Sequence, residues 1–288
     1  MKAVITSRCS MNIGFDRILE SLPLADLDFT VLNVYPRHRQ RPGLERVAGH
    51  KGVRTDLSVV AEPTTVLSAA CPEVLAKTGN FIKETMRVVN LHKPELVVLT
   101  QEVNQAGSLA CLAHDGLRIF NQSKTSVLLL SMVATASHSR RVVVGAPALD
   151  SNSDLSAANV SSIMNPTEAE IIVAVVANPF YPPLSRVVPN MRGCQSRALR
   201  EIHDEQAVEA TAQAAMMADQ LARTKVKPLY VGRTGRLVSE LSQIVRSNDT
   251  SLLCLLVDSS SRKWLNRSKL LEMLENVDVP ILVVPAGR

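Results

Sequence analysis

Short runs of β-branched and aliphatic residues alternate with longer stretches of helical periodicity in the first part of the chain. Leu75, Ile82, Met86 and Val89 follow one another at helical steps and predict one amphipathic helix. The predicted strands are 3–6, 28–35, 53–61, 95–100 and 126–131, and the predicted helices are 15–22, 66–91 and 108–120. Strands that alternate with helices in this way indicate βαβ units and a parallel sheet.

The same order of elements begins again after residue 140. The predicted strands there are 142–146, 170–177, 228–232, 251–257 and 280–285, with helices at 155–164, 198–223, 237–245 and 270–277. Matching strands are separated by about 139 residues at the first position and about 154–156 at the last two. The extra length falls between the second and fourth strands of the second half, where the proline-marked segment 180–193 stands out. The spacing predicts a duplication.

These patterns predict an α/β fold with two tandem Rossmann-like, open, five-stranded parallel sheets and helices on both faces of each. The predicted domains are residues 1–135 and 141–288. In such sheets, ligands bind beyond the carboxyl ends of the strands, at the point where the strand order reverses. The loops after the first and fourth strands of each half are therefore the places to look for a site.

Two stretches of the second half carry a resemblance to a known family. The chain ends in DVPILVVPAGR, and Gly235 after the third strand is followed by the hydrophobic helix start RLVSEL. Together with the element order over nearly the whole chain, these stretches resemble the universal stress protein family in its tandem form. The resemblance implies the fold of the adenine nucleotide alpha-hydrolase-like proteins and pairing of domains through their final strands.

The resemblance also implies a place for adenine nucleotides, and the sequence departs from it. Nucleotide-binding members carry G-x-x-G, nine residues, then G-[ST] after the fourth strand, and an acidic residue after the first. In the first half, an ungapped comparison puts the glycines at Thr100, Val103 and Ala113, the hydroxyl at His114 and the acid near Arg8. Side chains at the glycine positions crowd a phosphate that needs backbone N–H groups.

Several residues are candidates for a nucleotide or anion site despite these departures. In the first half they are Gly107 and Ser108, a Gly-Ser pair that suits an anion turn. In the second half they are Asp150, Ser151, Ser153, Gly235, Asp258, Ser259, Ser260 and Arg262. The loop that begins at Asp258 is shorter than the family loop and contains no glycine. Its residues either cap the following helix or hold an anion by charge.

Composition and charge narrow the classes of function. The chain has 288 residues with 46% apolar and 3% aromatic residues, and a net charge of +5. The segment 37–54 alone carries five Arg, one Lys and one Glu, and it lacks the aromatics of a nucleic-acid surface. We expect a solvated loop there, and no DNA as partner. No apolar run has the length of a membrane span, and a cytoplasmic location is expected. Cys71 and Cys254 are expected to be packed thiols.

No motif of a hydrolase triad, zinc protease, Walker loop or dinucleotide site is present, so no catalytic or metal-binding residue is assigned. The leading hypothesis is a non-catalytic stress or regulatory protein, with no cofactor, that acts through partners. Its halves either pair internally, through SVLLLS and PILVVP, or form a homodimer. One alternative is an ATP or AMP binder, with slow hydrolysis, that uses the second half. Another is a relative of the regulatory region of some cation/proton antiporters.

Overall fold

The computed structural model describes residues 1–8, 19–35, 73–100, 108–131, 134, 139–148, 158–165, 169–178, 192–222, 228–257 and 265–286. The strands are β1 (Lys2–Arg8), β2 (Asp28–Tyr35), β3 (Glu73–Thr78), β4 (Leu96–Thr100), β5 (Ser126–Leu130), β6 (Arg141–Pro147), β7 (Glu170–Ala177), β8 (Leu229–Thr234), β9 (Leu252–Val257) and β10 (Ile281–Pro285). The helices are α1 (Phe81–His92), α2 (Ser108–Ser123), α3 (Ala158–Ile163), α4 (Arg192–Ala222), α5 (Leu237–Ser247) and α6 (Arg267–Asn276).

All ten strands belong to one sheet, in the order β3-β2-β1-β4-β5-β10-β9-β6-β7-β8. The strands of each half are parallel to one another, and β5 pairs with β10 antiparallel where the halves meet. The predicted α/β class with five parallel strands in each half is confirmed. The two predicted sheets are continuous, because their last strands share backbone hydrogen bonds.

Helices cover both faces of the sheet, and this explains why the central strands are apolar on both sides. Every residue of β5 and β9 is buried. On one face, α3 and α4 contribute Val160, Ala214 and Leu221 to a core that also contains Leu128 and Leu282. On the other face, α1, α2, α5 and α6 pack on a second core. Both cores contain residues of both halves, so burial continues across the β5–β10 junction.

The prediction for residues 66–91 was wrong in its first part. Leu75 lies in β3, which pairs with β2, and the helix begins only at Phe81. The break between them is made by Gly79, with φ of 157°, and by Asn80, whose Oδ1 accepts a hydrogen bond from the Lys83 backbone N–H at 3.1 Å. A glycine and an N-cap asparagine separate the strand from the helix. The strand predicted at 53–61 lies outside the described residues.

With β3 in this position, the duplication becomes regular. The offset between β3 and β8, between β4 and β9 and between the starts of α1 and α5 is 156 residues in each case. Gly79 and Gly235 have φ of 157° and 159°, and Lys93 and Asp249, which follow α1 and α5, have φ of 46° and 47°. The offset at the second strand pair is 142. The additional length therefore enters between the second and third strands of the second half.

The contacts between the two halves also occur in equivalent pairs. Val127 is opposite Val283 and Leu128 is opposite Leu282. Equivalent positions of β5 and β10 are 155 residues apart, so each of these two pairs is the repeat of the other. Outside the sheet, Leu24 forms an antiparallel bridge with Met164. The Ala25 N–H donates to the Ile163 carbonyl at 2.8 Å, and in return the Asn165 N–H donates to the Pro23 carbonyl at 3.0 Å. Reciprocal contacts of this kind are the mark of a twofold relationship.

Candidate functional site

The strand order creates two equivalent places where a ligand site is expected. In the first half the order reverses between β1 and β4, and in the second half between β6 and β9. The carboxyl ends of these strands are Arg8, Thr100, Pro147 and Val257. Open α/β sheets bind ligands in a crevice between two neighbouring strands whose connections leave in opposite directions. The segments that continue from these ends, such as 149–157 and 258–264, are outside the described residues.

Most of the predicted site residues fall in those segments. Gly107, Asp150, Ser151, Ser153, Asp258, Ser259, Ser260 and Arg262 are outside the described residues, and their side-chain positions stay predictions. The pairing of β6 with β9 does bring the starts of two of these segments together. Ser108 and Gly235 are within the described residues. Ser108 is the first residue of α2, and Gly235 lies two residues before α5, next to its N-cap residue Arg236.

The position at which α2 begins does not agree with the ungapped placement of the nucleotide motif in the first half. Ala113 and His114 lie inside α2, more than one turn from its first residue, and Ala113 is completely buried. Neither residue lies at the amino end of the helix, where the last glycine and hydroxyl of the motif would meet a phosphate. The connection from β4 to α2 has only the seven residues 101–107. Gly107 and Ser108 are therefore the pair in this half that adjoins the helix start.

Buried polar side chains lie near the carboxyl ends of β1 and β2, beside the first crevice. Ser7 donates a hydrogen bond from Oγ to Asn33 Oδ1 at 2.9 Å, across the carboxyl ends of β1 and β2. On the other face of the sheet, the hydroxyls of Thr6 and Thr85 are 3.3 Å apart. All four side chains are buried. Polar groups in such a position are stable because they are paired with each other.

The second crevice has apolar groups at the same positions. The duplication places Ala146 and Val175 where the first half has Ser7 and Asn33. Gly145 takes the place of Thr6, and a Cβ atom at Gly145 would be 2.9 Å from Leu241, which takes the place of Thr85. The two halves thus have the same arrangement of strands, but the side chains at these positions are polar in the first half and apolar in the second. This difference was not predicted from the sequence, because the contact between Ser7 and Asn33 depends on which strands are neighbours.

The turn at Gly235 is a structural feature that both halves share. The Gly235 N–H donates to the Ala177 carbonyl at 2.9 Å, and a Cβ atom at Gly235 would be 2.6 Å from Glu240 Oε1. Gly79 has the same surroundings, with Glu84 Cγ 3.2 Å from the position of a Cβ atom. The signal for this pair was in the sequence, where KTGNFIKE and RTGRLVSE are 156 residues apart. Gly235 therefore has a structural role at this turn that does not require a ligand.

Within the described residues, no group of three or more His, Cys, Asp or Glu side chains could hold a metal ion. No helix in the described part of the chain is long and apolar enough to cross a membrane. Cys254 is completely buried in β9, as the sequence predicted for this thiol, and burial raises its pKa well above the ordinary value. Cys111 is a free and exposed thiol on α2.

Comparison with known proteins extends to structure only, since no protein-family model and no curated protein matches the sequence. A universal stress protein from Archaeoglobus fulgidus DSM 4304 has a TM-score of 0.58 at 13% identity, over 99% of this chain and 96% of that chain. A proposed universal stress protein from Pseudomonas aeruginosa UCBPP-PA14 has a TM-score of 0.52 at 8% identity, over 99% and 93%. A protein of unknown function from Pseudomonas aeruginosa PAO1 has a TM-score of 0.50 at 8% identity, over 98% and 92%. At these identities the likeness concerns the fold, and the fold of this chain is that of the universal stress proteins.

Proposed function

We propose that this chain is a non-catalytic regulatory protein of the universal stress type, in which neither half holds the nucleotide loop of the family. The observation that carries the proposal is the early start of α2 at Ser108. It leaves seven residues, 101–107, between β4 and the helix, with Gly107 as their only glycine. The loop of nucleotide-binding members is longer and supplies N–H groups from three glycines.

The second half supports the same proposal through its sequence. The segment 258–264 reads DSSSRKW and contains no glycine. Backbone N–H groups approach a phosphate closely where no Cβ atom intervenes, so a glycine-free segment is a poor cradle for a triphosphate. The side chains of Ala146 and Val175, which match Ser7 and Asn33 of the first half, have no hydrogen-bonding group to offer an adenine or a ribose.

We infer further that domains 1–135 and 141–288 are each other's partners. The pairing of β5 with β10 and the reciprocal hydrogen bonds of Ala25 and Asn165 support this arrangement. A homodimer of the kind in which final strands pair would need these two strands as free edges, and here each already has a neighbour on both sides. One chain would then present the same kind of surface to its partners as two single-domain proteins that pair through their final strands.

A second candidate is an adenine-nucleotide binder that uses the second half. The pairing of β6 with β9 favours it, because the two strands that precede Asp150 and Asp258 in the sequence are neighbours in the sheet. The segment after the first of these strands carries an acid, and the segment after the second carries hydroxyls and an arginine, which are groups that could bind a ribose and a phosphate. ATP would then be the ligand, and Asp150, Ser151 and Arg262 its contacts.

Calorimetric titration of the purified chain with ATP, ADP and AMP in the presence of Mg²⁺ separates the two candidates. The proposal predicts no saturable heat up to millimolar nucleotide and no nucleotide carried through purification, as judged by mass spectrometry. Saturable micromolar binding that is lost in Asp150→Ala, and kept in the matched control Asp219→Ala on the exposed face of α4, would replace it with the second candidate.

A further inference from the structure

The strand β8 ends the sheet in the second half, and within the described residues β7 is its only neighbour. The Gly235 N–H donates to the Ala177 carbonyl of β7. Because backbone groups alternate along a strand, the N–H and C=O groups of Tyr230, Gly232 and Thr234 point away from β7. We call these groups the open edge, and no described strand pairs with them. They offer donors and acceptors to a further strand.

Large apolar side chains lie exposed beside the open edge. Leu229 is 68% exposed and Tyr230 is 54% exposed. The matching strand β3 has Glu73 at the position of Leu229, and a charge on an edge strand opposes the pairing of another strand with it. β8 has no charge at that position and no proline within its bounds. Its edge therefore has the exposed apolar groups and the free backbone that an interface requires.

The two faces of β8 have different surroundings. A Cβ atom at Gly232 would overlap Thr211, so Gly232 and the residues that alternate with it face α4. Leu229, Val231 and Arg233 face the other side, where Val231 packs against the core. An added strand continues both faces, so its side chains must suit α4 on one face and Leu229 on the other.

The strand β8 is complementary to itself when a second copy runs antiparallel, with Val231 of one copy opposite Val231 of the other. Tyr230 then exchanges backbone hydrogen bonds with Gly232 of the second copy, and the Thr234 N–H meets the Pro228 carbonyl. Every N–H of the open edge has an acceptor in this register, and Pro228 has no N–H that would be left unpaired. The Tyr230 ring lies beside a glycine, an arrangement that stabilises paired strands.

The charges on the other face are also complementary in this register. Arg233 is exposed and would lie opposite Leu229 of the second copy, with its aliphatic stem over the leucine. Leu229 pairs with Ile172 of β7, and Glu170 is two residues earlier on the same face. The Glu170 Oε2 accepts from Arg141, and its Oε1 accepts from no described residue. The Cα atoms of Arg233 and Glu170 would be about 12 Å apart, which the two extended side chains can span.

The helix α4 leaves room for a second copy. It packs on both β7 and β8, so it covers two strands of the sheet. Two such helices in one layer are then about 10 Å apart, which is the ordinary distance between packed helices. On the flank toward the edge, Thr211 is preceded by Val208 at three residues and followed by Ala215 at four residues. Val208 is 70% exposed, and a second α4 would cover it.

We propose that β8 binds a second copy of this chain, through antiparallel pairing of β8 with β8 about a twofold axis at Val231. The sheets of the two copies then form one continuous sheet. The contact consists of one strand and one helix flank, which is small for an interface, so the association is weak and a dilute chain keeps β8 as a free edge. This proposal is independent of whether either half binds a nucleotide.

Analytical ultracentrifugation of the full chain, from micromolar to millimolar concentration, tests the proposal. Leu229→Lys places a second cation opposite Arg233, and Tyr230→Pro removes an N–H of the open edge without touching the ladder with β7. We expect a monomer–dimer equilibrium whose dissociation constant each substitution raises at least about tenfold. The matched controls are Leu91→Lys on α1 and Val74→Pro at the position of β3 that corresponds to Tyr230, and both are expected to leave the equilibrium unchanged.

Disulfide trapping tests the register of the two strands. Val231→Cys places two thiols opposite each other at the twofold axis, where the facing Cα atoms are about 4.5 Å apart, a separation that a disulfide can bridge. Leu229→Cys places its thiol at a more exposed position, but about 14 Å from its counterpart. We expect mild oxidation to give a covalent dimer of the Val231→Cys variant, joined through the introduced thiol as judged by mass spectrometry, and no such dimer of the Leu229→Cys variant.

Three results would overturn the proposal. A chain that stays monomeric at millimolar concentration would leave β8 to a strand of another protein. Equal weakening of a dimer by Val74→Pro and Tyr230→Pro would mean that β8 is not its particular contact. Trapping of Leu229→Cys as fast as Val231→Cys would exclude the register. If Tyr230→Pro does not fold, as judged by its melting temperature, Leu229→Lys and the two thiol variants decide the outcome, since Leu229 is on the surface.

Discussion

Leu128 of β5 lies directly opposite Leu282 of β10, and both side chains are fully buried at the junction of the two halves. Leu282→Ala removes apolar contacts from a core to which both halves contribute. We expect it to lower the free energy of unfolding by about 2–5 kcal/mol, measured by urea denaturation. The same truncation at Leu229, on the edge strand β8 and 68% exposed, is the control and is expected to cost less than about 1 kcal/mol. Equal losses would mean that the junction is not part of the core.

The Ser7–Asn33 hydrogen bond gives a second prediction, because the other half has apolar residues at these positions. Asn33→Val removes the acceptor and leaves the buried Ser7 hydroxyl without it. We expect a loss of about 1–3 kcal/mol in the free energy of unfolding. The double variant Ser7→Ala/Asn33→Val reproduces the pair Ala146 and Val175 and is expected to recover most of the loss. A double variant that is no more stable than Asn33→Val would refute this account of the pair.

At Gly232 of β8, the backbone of α4 lies so close that there is no room for a side chain. A Cβ atom there would overlap the backbone nitrogen and the side chain of Thr211. We expect Gly232→Ala to cost about 1–3 kcal/mol of stability, because the helix must move to make room. Adding Thr211→Ala should give no recovery, since the backbone nitrogen remains in place. Full recovery in a thermal denaturation of the double variant would show that the side chain alone causes the overlap.

Burial raises the pKa of the Cys254 thiol above its ordinary value of 9.0. The folded state therefore keeps this proton at a pH where the unfolded state loses it. The thiol contributes fully to stability below about pH 9, and above that the contribution falls by about 1.4 kcal/mol per pH unit. Urea denaturation at about pH 8 and about pH 10 should show a smaller loss for Cys254→Ala than for the natural chain. An identical loss in both proteins would contradict the prediction.

The sequence was sufficient to predict nine of the ten strands that the structure describes, because most strands of a parallel sheet buried on both faces are nearly continuous apolar runs. Runs such as 95–100 and 251–257 are of this kind. The strand β3 was not predicted, since EVLAKT has only two large apolar residues, Val74 and Leu75, among charged and small ones, as an edge strand allows. Its position was nevertheless encoded by the shared Thr-Gly at 78–79 and 234–235, which the duplication repeats.

The candidate sites were less accessible to prediction, for a physical reason. A site depends on which side chains become neighbours, and the Ser7–Asn33 pair joins residues 26 positions apart through strand pairing. The contact of Gly145 with Leu241 likewise joins a strand to a helix that lies far away in the sequence. Residue types along the chain gave no sign of either. The loops after β6 and β9 could be named from the fold rule, but their contacts stay predictions.

The central claim is that β5 and β10 join the two halves in one sheet, and hydrogen exchange followed by mass spectrometry tests it most directly. If the claim is right, the backbone N–H groups of Ser126–Leu130 and of residues 281–284 exchange as slowly as those of β4 and β9, because each strand has a neighbour on both sides. The edge strands β3 and β8 serve as internal references for fast exchange. Exchange of β5 and β10 at the rate of β3 and β8 would mean that the halves are separate sheets, and it would contradict the account.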